Sequence, residues 1–138
     1  MTISAISTDK SPASIGPYSQ GVRAGDFVYI SGQLPINPAT GFIEAQEATG
    51  QMSQCVANVE AVLMAAGLSL ANVVKATIYL TDIADFGDVN DEYAAHFNVR
   101  PLPARCTIQV GALPGRAKVE IDAIAYSPGR DSTSLAST

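Results

Sequence analysis

Metal sites and disulfide bridges are built from residues that this sequence largely lacks. Its 138 residues include one histidine, His96, and two cysteines, Cys55 and Cys106. There is no CxxC pair and no HExxH motif, so a structural zinc site is not expected. The cysteines lie far apart in the chain, and in a reducing compartment we expect both thiols to stay unpaired.

Positive charge is also scarce. Eight Lys and Arg residues face thirteen Asp and Glu residues, which gives a net charge of −5. Nonspecific nucleic-acid or anionic-membrane binding needs a basic surface, so neither partner is expected. No apolar run approaches the roughly 20 residues of a membrane span. Residues 1–10 lack the features of a secretory signal, and we expect a cytoplasmic protein.

Hydrophobic residues make up 47% of the chain, enough for one substantial core. We expect a single domain over residues 1–126 and a disordered tail over residues 127–138, which are small and polar. No glycine cluster has the phosphate-cradling spacing between a strand and a helix, so a nucleotide cofactor is not expected either.

Hydrophobic periodicity predicts an α+β fold. Helical spacing indicates helices over residues 46–66 and 86–98, with Gly67 ending the first and Asp85 preferred over Asp82 as the N-cap of the second. Residues 1–16 are typical of a short edge strand followed by a loop. Further strands are indicated at 17–22, 27–31, 73–80, 104–110 and 117–125. The predicted order is β-β-α-β-α-β-β, a mixed sheet with both helices on one face.

Residues 103–126 indicate two strands joined by a short Gly/Pro turn. The first strand places Arg105 and Thr107 on one face and the more apolar Cys106 on the other. If the two strands pair as a hairpin over one core, Arg105 and Glu120 share the face opposite that core, and Cys106 lies in the core.

Arg105 and Glu120 carry the first candidate chemistry. A guanidinium offers a planar fork for a carboxylate, and a glutamate can orient or deprotonate a water molecule. The alternative is a cross-strand surface ion pair, worth about 0.2–1 kcal/mol.

Three further segments are compatible with a ligand site. Tyr18 follows a Gly-Pro turn that can aim its phenol into a cleft, and Gly32, after Ser31, allows a ligand close to the backbone. Asn90 offers both a donor and an acceptor. Strand packing for Tyr18, a bulge at Ser31–Gly32 and a helix-surface amide for Asn90 are the alternatives.

The blocks ASIGPYSQ, SGQLP, VN, PAR and VEIDAIA, in this order, resemble the RidA (YjgF) family over residues 3–126. The resemblance implies a chorismate-mutase-like fold and homotrimers with clefts between subunits. It also implies that Arg105 grips a substrate carboxylate and that Glu120 holds the attacking water. The cleft would be lined by Tyr18, Ser31, Gly32, Asn90 and Thr107.

One position departs from the family pattern. Many members read PAR, a small residue and then Cys, whereas here Cys106 precedes Thr107. Thr107 is therefore expected to take the pocket-facing place, where its hydroxyl can hydrogen-bond. This shift argues against a role for the thiol, but the roles of Arg105 and Glu120 are unaffected, because hydrolysis of this type needs no covalent cysteine.

The resemblance implies hydrolytic deamination, without a cofactor or a metal, of reactive 2-imino or 2-enamino acids such as 2-iminobutyrate and 2-aminoacrylate. The products would be 2-oxo acids and ammonia. Three alternatives remain: a 2-aminomuconate deaminase, a trimer that binds small carboxylates or acts as a holdase without turnover, and an RNA-cleaving protein. The acidic composition weighs against the last.

Overall fold

The computed structural model describes residues 2–127, so all of the predicted tail except Ser127 lies outside the described residues. The described chain forms two helices, α1 (Ala48–Ala65) and α2 (Phe86–His96), and six strands, β1 (Ile3–Ile6), β2 (Gly21–Ala24), β3 (Phe27–Gln33), β4 (Val73–Leu80), β5 (Ala104–Gln109) and β6 (Val119–Tyr126). The α+β class with a mixed sheet is confirmed. The order contains one strand more than predicted, because the short segment β1 pairs with β2 and counts as a full edge strand.

The six strands form one sheet in the order β1-β2-β3-β6-β4-β5. β6 is antiparallel to both of its neighbours, β3 and β4, whereas β5 runs parallel to β4. The last strand in sequence therefore lies in the middle of the sheet, and β5 forms one edge.

The core lies between the sheet and α1, which packs on β3 and β6 and contacts α2. Alternate residues of β6 are fully buried, as their period of two predicts: Val119, Ile121, Ala123 and Ala125. Helix α1 ends as predicted, because Gly67 has φ +78° and the Leu68 amide donates to the Leu63 carbonyl at 2.8 Å.

The start of α2 differs in detail from the prediction. Asp85 occupies the N-cap position but makes no side-chain cap hydrogen bond. The Asp82 carboxylate instead accepts the Ala84 amide at 2.9 Å and caps the short 3-10 turn Ile83–Asp85 that leads into the helix. The helix ends at His96, two residues earlier than expected.

The predicted hairpin of the last two strands is wrong. β4 separates β5 from β6, and the connection through the turn Pro114–Arg116 crosses from one side of β4 to the other. β4 pairs with β6 on one side and with β5 on the other, so β5 and β6 do not pair with each other. As a result Cys106 is exposed on an edge strand and is not a core residue, whereas Cys55 is buried as predicted.

The sheet face opposite the helices, the open face, carries partly exposed aromatic and aliphatic side chains, among them Phe27, Tyr29, Val74, Ile108 and Tyr126. The rings of Phe27 and Tyr126 lie 5.4 Å apart, centroid to centroid. Between residues 2 and 127, no helix combines the length and apolarity needed to cross a membrane.

Candidate active site

Arg105 extends from β5 toward α2. Its Nη1 donates to Oδ1 of Asn90 at 2.7 Å. Its guanidinium carbon lies 4.9 Å from the ring centroid of Tyr93 and 5.8 Å from that of Phe86. These contacts orient the guanidinium while leaving its charge uncompensated, because no carboxylate of residues 2–127 lies within ion-pair distance. The alternative of an Arg105–Glu120 ion pair is therefore wrong within one chain.

The apolar stripe of α2 explains this placement. Val89, Tyr93 and Phe97 are buried, and the rings of Tyr93 and Phe97 stack at 4.3 Å. With that face against the core, Asn90 is turned toward the edge strand. A cavity of about 360 Å³ opens here, lined by Asn90, Tyr93, Leu102, Pro103 and Arg105 among others. Tyr93 is a site residue that the sequence did not reveal, because its ring is buried in the core and also contacts Arg105.

Two buried hydroxyls flank the arginine. Thr107 shares the sheet face of Arg105, as the alternation predicted, and its Oγ1 is buried. Neither Thr107 Oγ1 nor Tyr93 Oη has a hydrogen-bond partner within residues 2–127. Burial raises the pKa of Tyr93, and Arg105 partly opposes that rise. Unsatisfied buried hydroxyls are costly, and Tyr93 also lines the cavity beside Arg105.

Glu120 lies half-buried on the open face, against β3. The pairing of β3 with β6 is irregular between Ile30 and Gln33, and this bulge brings Gly32 up to the carboxylate. A Cβ atom on Gly32 would overlap Oε2 of Glu120 and lie 3.0 Å from its Cδ. Gly32 thus makes room for Glu120, whereas the sequence suggested room for a ligand. Burial, and next the charge of Asp122, raise the pKa of Glu120.

Ser31 anchors the loop that carries Tyr18. Its hydroxyl donates to the Ser19 carbonyl at 2.6 Å, and its amide donates to the Gln20 carbonyl at 3.0 Å. The side chain of Ser31 therefore has a structural partner. Tyr18 is 52% exposed and lines a cavity of about 390 Å³ beside Gly32, together with Ile15, Leu34, Ile36 and Pro114.

Gln20 fixes the same loop from inside. Its Nε2 donates to the Thr8 and Pro12 carbonyls at 3.0 and 2.8 Å and to Ser11 Oγ at 2.9 Å, and its Oε1 accepts the Thr8 amide at 2.7 Å. The sequence did not reveal this role. Its only trace there is that Gln20 is the last residue of the block ASIGPYSQ.

The predicted residues, together with Tyr93, therefore form two groups. The arginine half-site consists of Asn90, Tyr93, Arg105 and Thr107. The glutamate half-site consists of Tyr18, Ser31, Gly32 and Glu120. Arg105 aligns with Ala76 of β4, and Glu120 aligns with Tyr79 of the same strand. Because Ala76 and Tyr79 are three residues apart, the two half-sites face opposite sides of the sheet.

The chain is also similar to known proteins in sequence and in structure. Residues 8–127 match the family model described as endoribonuclease L-PSP. A Rid-family protein of unknown function from Yersinia pestis has a similar crystal structure, with a TM-score of 0.88 and 43% identity over 91% of this chain and 99% of that one. The chain belongs to the RidA (YjgF) family.

Two further RidA-family proteins bear on function. The 2-iminobutanoate/2-iminopropanoate deaminase of Bos taurus is 46% identical over 130 residues, 94% of this chain and 94% of that protein. TdcF of E. coli has been solved with bound serine, and it matches with a TM-score of 0.84 and 41% identity over 89% of this chain and 98% of that one. The family predicted from the sequence blocks is thus confirmed, and this RidA-family chain has relatives that are named as deaminases.

Proposed function

We propose that this protein hydrolyses 2-imino acids and their enamine tautomers to 2-oxo acids and ammonia. The observation that carries the proposal is the guanidinium of Arg105, which is oriented by Asn90 and two aromatic rings but has no carboxylate partner within residues 2–127. Such a group is preorganised for the carboxylate that every substrate of this class contains.

The proposed reaction needs one carboxyl group that exchanges protons. Water adds to the carbon of the protonated imine while Glu120 takes one of its protons, and a neutral carbinolamine forms. Glu120 then returns that proton to nitrogen. The C–N bond breaks as the carbinolamine hydroxyl gives its proton to Glu120, which leaves a 2-oxo acid and ammonia, and ammonia takes the proton from Glu120 as it departs. The raised pKa of Glu120 supports this role, because general acid–base catalysis is most effective when the pKa lies near the working pH.

The opposed half-sites support a site shared between subunits. A contact that joins the arginine half-site of one chain to the glutamate half-site of the next uses two different patches, and such contacts form a ring when the rotation between neighbouring chains closes. The apolar open face around Tyr29 and Tyr126 would be covered in this assembly. We propose the homotrimer that the resemblance implies.

The substrate side chain is proposed to be small or apolar. The cavity beside Tyr18 is lined mainly by Ile15, Leu34, Ile36 and Pro114, and no cation of residues 2–127 lines it. A 2-aminomuconate substrate brings a second carboxylate, which this cavity does not match.

The proposal also includes one domain over residues 1–126. It includes a cytoplasmic location as well, which the unpaired thiols of Cys55 and Cys106 support.

A competition assay tests the proposal. A threonine dehydratase generates 2-iminobutyrate in the presence of semicarbazide, and the protein should suppress the semicarbazone by hydrolysing the imine first. Arg105→Ala should reduce this effect on the order of 10- to 100-fold, through loss of a charge-assisted hydrogen bond to the carboxylate. Lys10→Ala, which removes an exposed cation elsewhere, is the matched control.

Each outcome is decisive. Wild-type suppression by Arg105→Ala would contradict the carboxylate anchor. If the wild-type protein leaves the semicarbazone yield unchanged, the deaminase proposal fails for this substrate, and 2-aminomuconate and simple carboxylate binding are tested next.

A further inference from the structure

Glu120 shares its sheet face with a second carboxyl group. Asp122 lies two residues along β6 on the same face, and Tyr79 is the neighbour of Glu120 across β4. The Tyr79 hydroxyl donates to Oδ2 of Asp122 at 2.9 Å. The hydrogen bond therefore runs diagonally, from the cross-strand partner of Glu120 to the neighbouring acid.

Glu120 and Asp122 differ in the hydrogen bonds that they accept. Alternate residues of a strand are about 6.6 Å apart, and like charges at that range disfavour ionisation of both groups. A hydrogen bond donated to a carboxylate favours its charged form, and Asp122 receives one. Glu120 receives none from the side chains of residues 2–127. When the two carboxyl groups share one proton, that proton is therefore on Glu120.

We propose that Tyr79 and Asp122 are positioning residues for Glu120: the Tyr79 hydroxyl keeps the negative charge on Asp122, so that Glu120 is the carboxyl group that gains and loses a proton. This inference deepens the proposed function and rests on it for the catalytic meaning of that proton. Burial, followed by the hydrogen bond to Asp122, raises the pKa of Tyr79 to about 12, so the phenol remains a donor across the physiological range.

The other ionisable groups around this cluster leave the arrangement intact. Lys75 on β4 donates to Thr77 Oγ1 at 3.2 Å, and Thr77 lies directly across from Asp122, so this cation is on the Asp122 side of the pair and is present in every variant compared below. Cys106 on β5 lies on the Tyr79 side, and Cys55 on α1 is a buried thiol whose pKa is raised by burial and then by Glu120. β3 presents Gly32 here, without an ionisable side chain. In the proposed trimer, Arg105 of a neighbouring subunit also faces Glu120, and it does so equally in every variant compared below.

Titration of the carboxyl carbons by NMR tests the inference without any activity. Glu120 is one of five glutamates, and Glu120→Gln identifies its signal. Asp122→Asn should move the titration midpoint of Glu120 to lower pH. Tyr79→Phe should move it in the same direction by a smaller amount.

Two matched variants control for general effects. Asp9→Asn removes an exposed negative charge elsewhere, and Tyr29→Phe removes a hydroxyl from the same open face. Both should leave the Glu120 midpoint unchanged. An unchanged midpoint in Asp122→Asn and Tyr79→Phe would overturn the inference.

The pH profile of kcat/KM provides the catalytic readout. Its acidic limb should move with the NMR midpoint in both variants, whereas a merely structural loss would lower the whole profile without moving that limb. A wild-type protein without deaminase activity would overturn the proposed function, and the titrations would still decide whether Tyr79 and Asp122 control the proton of Glu120.

Discussion

Arg105 and Glu120 point to opposite faces of one sheet, with β4 between them. Arg105 aligns with Ala76, whose side chain is buried under the helices, and Glu120 aligns with Tyr79 on the open face. A small imino acid cannot contact both side chains of one chain. The two residues can serve one substrate only if two chains meet.

Mixed assemblies should therefore recover activity that neither parent has. Arg105→Ala and Glu120→Gln, co-expressed in equal amounts, should form trimers in which about one cleft in four contains both wild-type groups. Activity should return to about a quarter of the wild-type value, measured by the semicarbazide assay. Pairing Arg105→Ala with the double variant is the control, since it restores no arginine. Inactive mixtures would show that the half-sites do not meet across subunits.

The sequence predicted the elements better than their arrangement. Helix α1, the end at Gly67 and the period of β6 follow from local patterns, and each is confirmed. The face of β5 could not be predicted, because this edge strand is largely exposed on both sides. An apolar Cys106 there does not mark the core. Chain order also does not reveal that β6 inserts between β3 and β4, which keeps β5 and β6 apart.

Gly32→Ala should impair catalysis through a direct clash. The new Cβ would meet the Glu120 carboxylate, which must then turn away from its position. We expect kcat to fall on the order of 10-fold or more with a smaller change in KM. Gly87→Ala is the matched control, because its Cβ would meet open space in α2. That variant should gain about 0.5–1 kcal/mol in stability at unchanged activity. Full activity in Gly32→Ala would contradict the assigned geometry.

Gln20→Ala should loosen the loop that carries Tyr18. The change leaves the Thr8 and Pro12 carbonyls without their amide donor, and we expect a loss of about 1–3 kcal/mol in the free energy of unfolding, measured in urea. KM should rise more than kcat falls, because Tyr18 loses its fixed position. Gln46→Ala, an exposed residue, should stay within about 0.5 kcal/mol of wild type. Equal stability of both variants would argue against an anchoring role.

Glu120→Gln should stabilise the fold at neutral pH. The folded state raises the pKa of Glu120, so between the ordinary glutamate range and the raised value it binds more protons than the unfolded chain. Wild-type stability therefore falls as pH increases through that window, and a glutamine avoids this loss. Urea unfolding should show a more stable variant at neutral pH and no difference in acid. The comparison belongs in the Arg105→Ala background, which removes the neighbouring subunit's cation. A variant less stable at neutral pH would contradict the assigned burial of the charge.

For the site as well, the sequence predicted the residues better than their arrangement. Residue chemistry and resemblance identified Arg105, Glu120 and their neighbours, but the bulge that presses Gly32 on Glu120 arises only from the pairing of β3 with β6. The stacking of Arg105 on Tyr93 likewise depends on how α2 lies against β5. Such contacts join residues distant in sequence, so no local pattern encodes them.

The position of β6 in the middle of the sheet has a consequence for synthesis of the chain. Until Val119–Tyr126 has left the ribosome, β3 and β4 each lack the strand that later pairs between them. This segment supplies both pairings at once, so the domain can gain its cooperative stability only after the segment has emerged. A nascent chain that stops before this segment would present two open edges to other chains, and early termination would favour aggregation over a partly folded product.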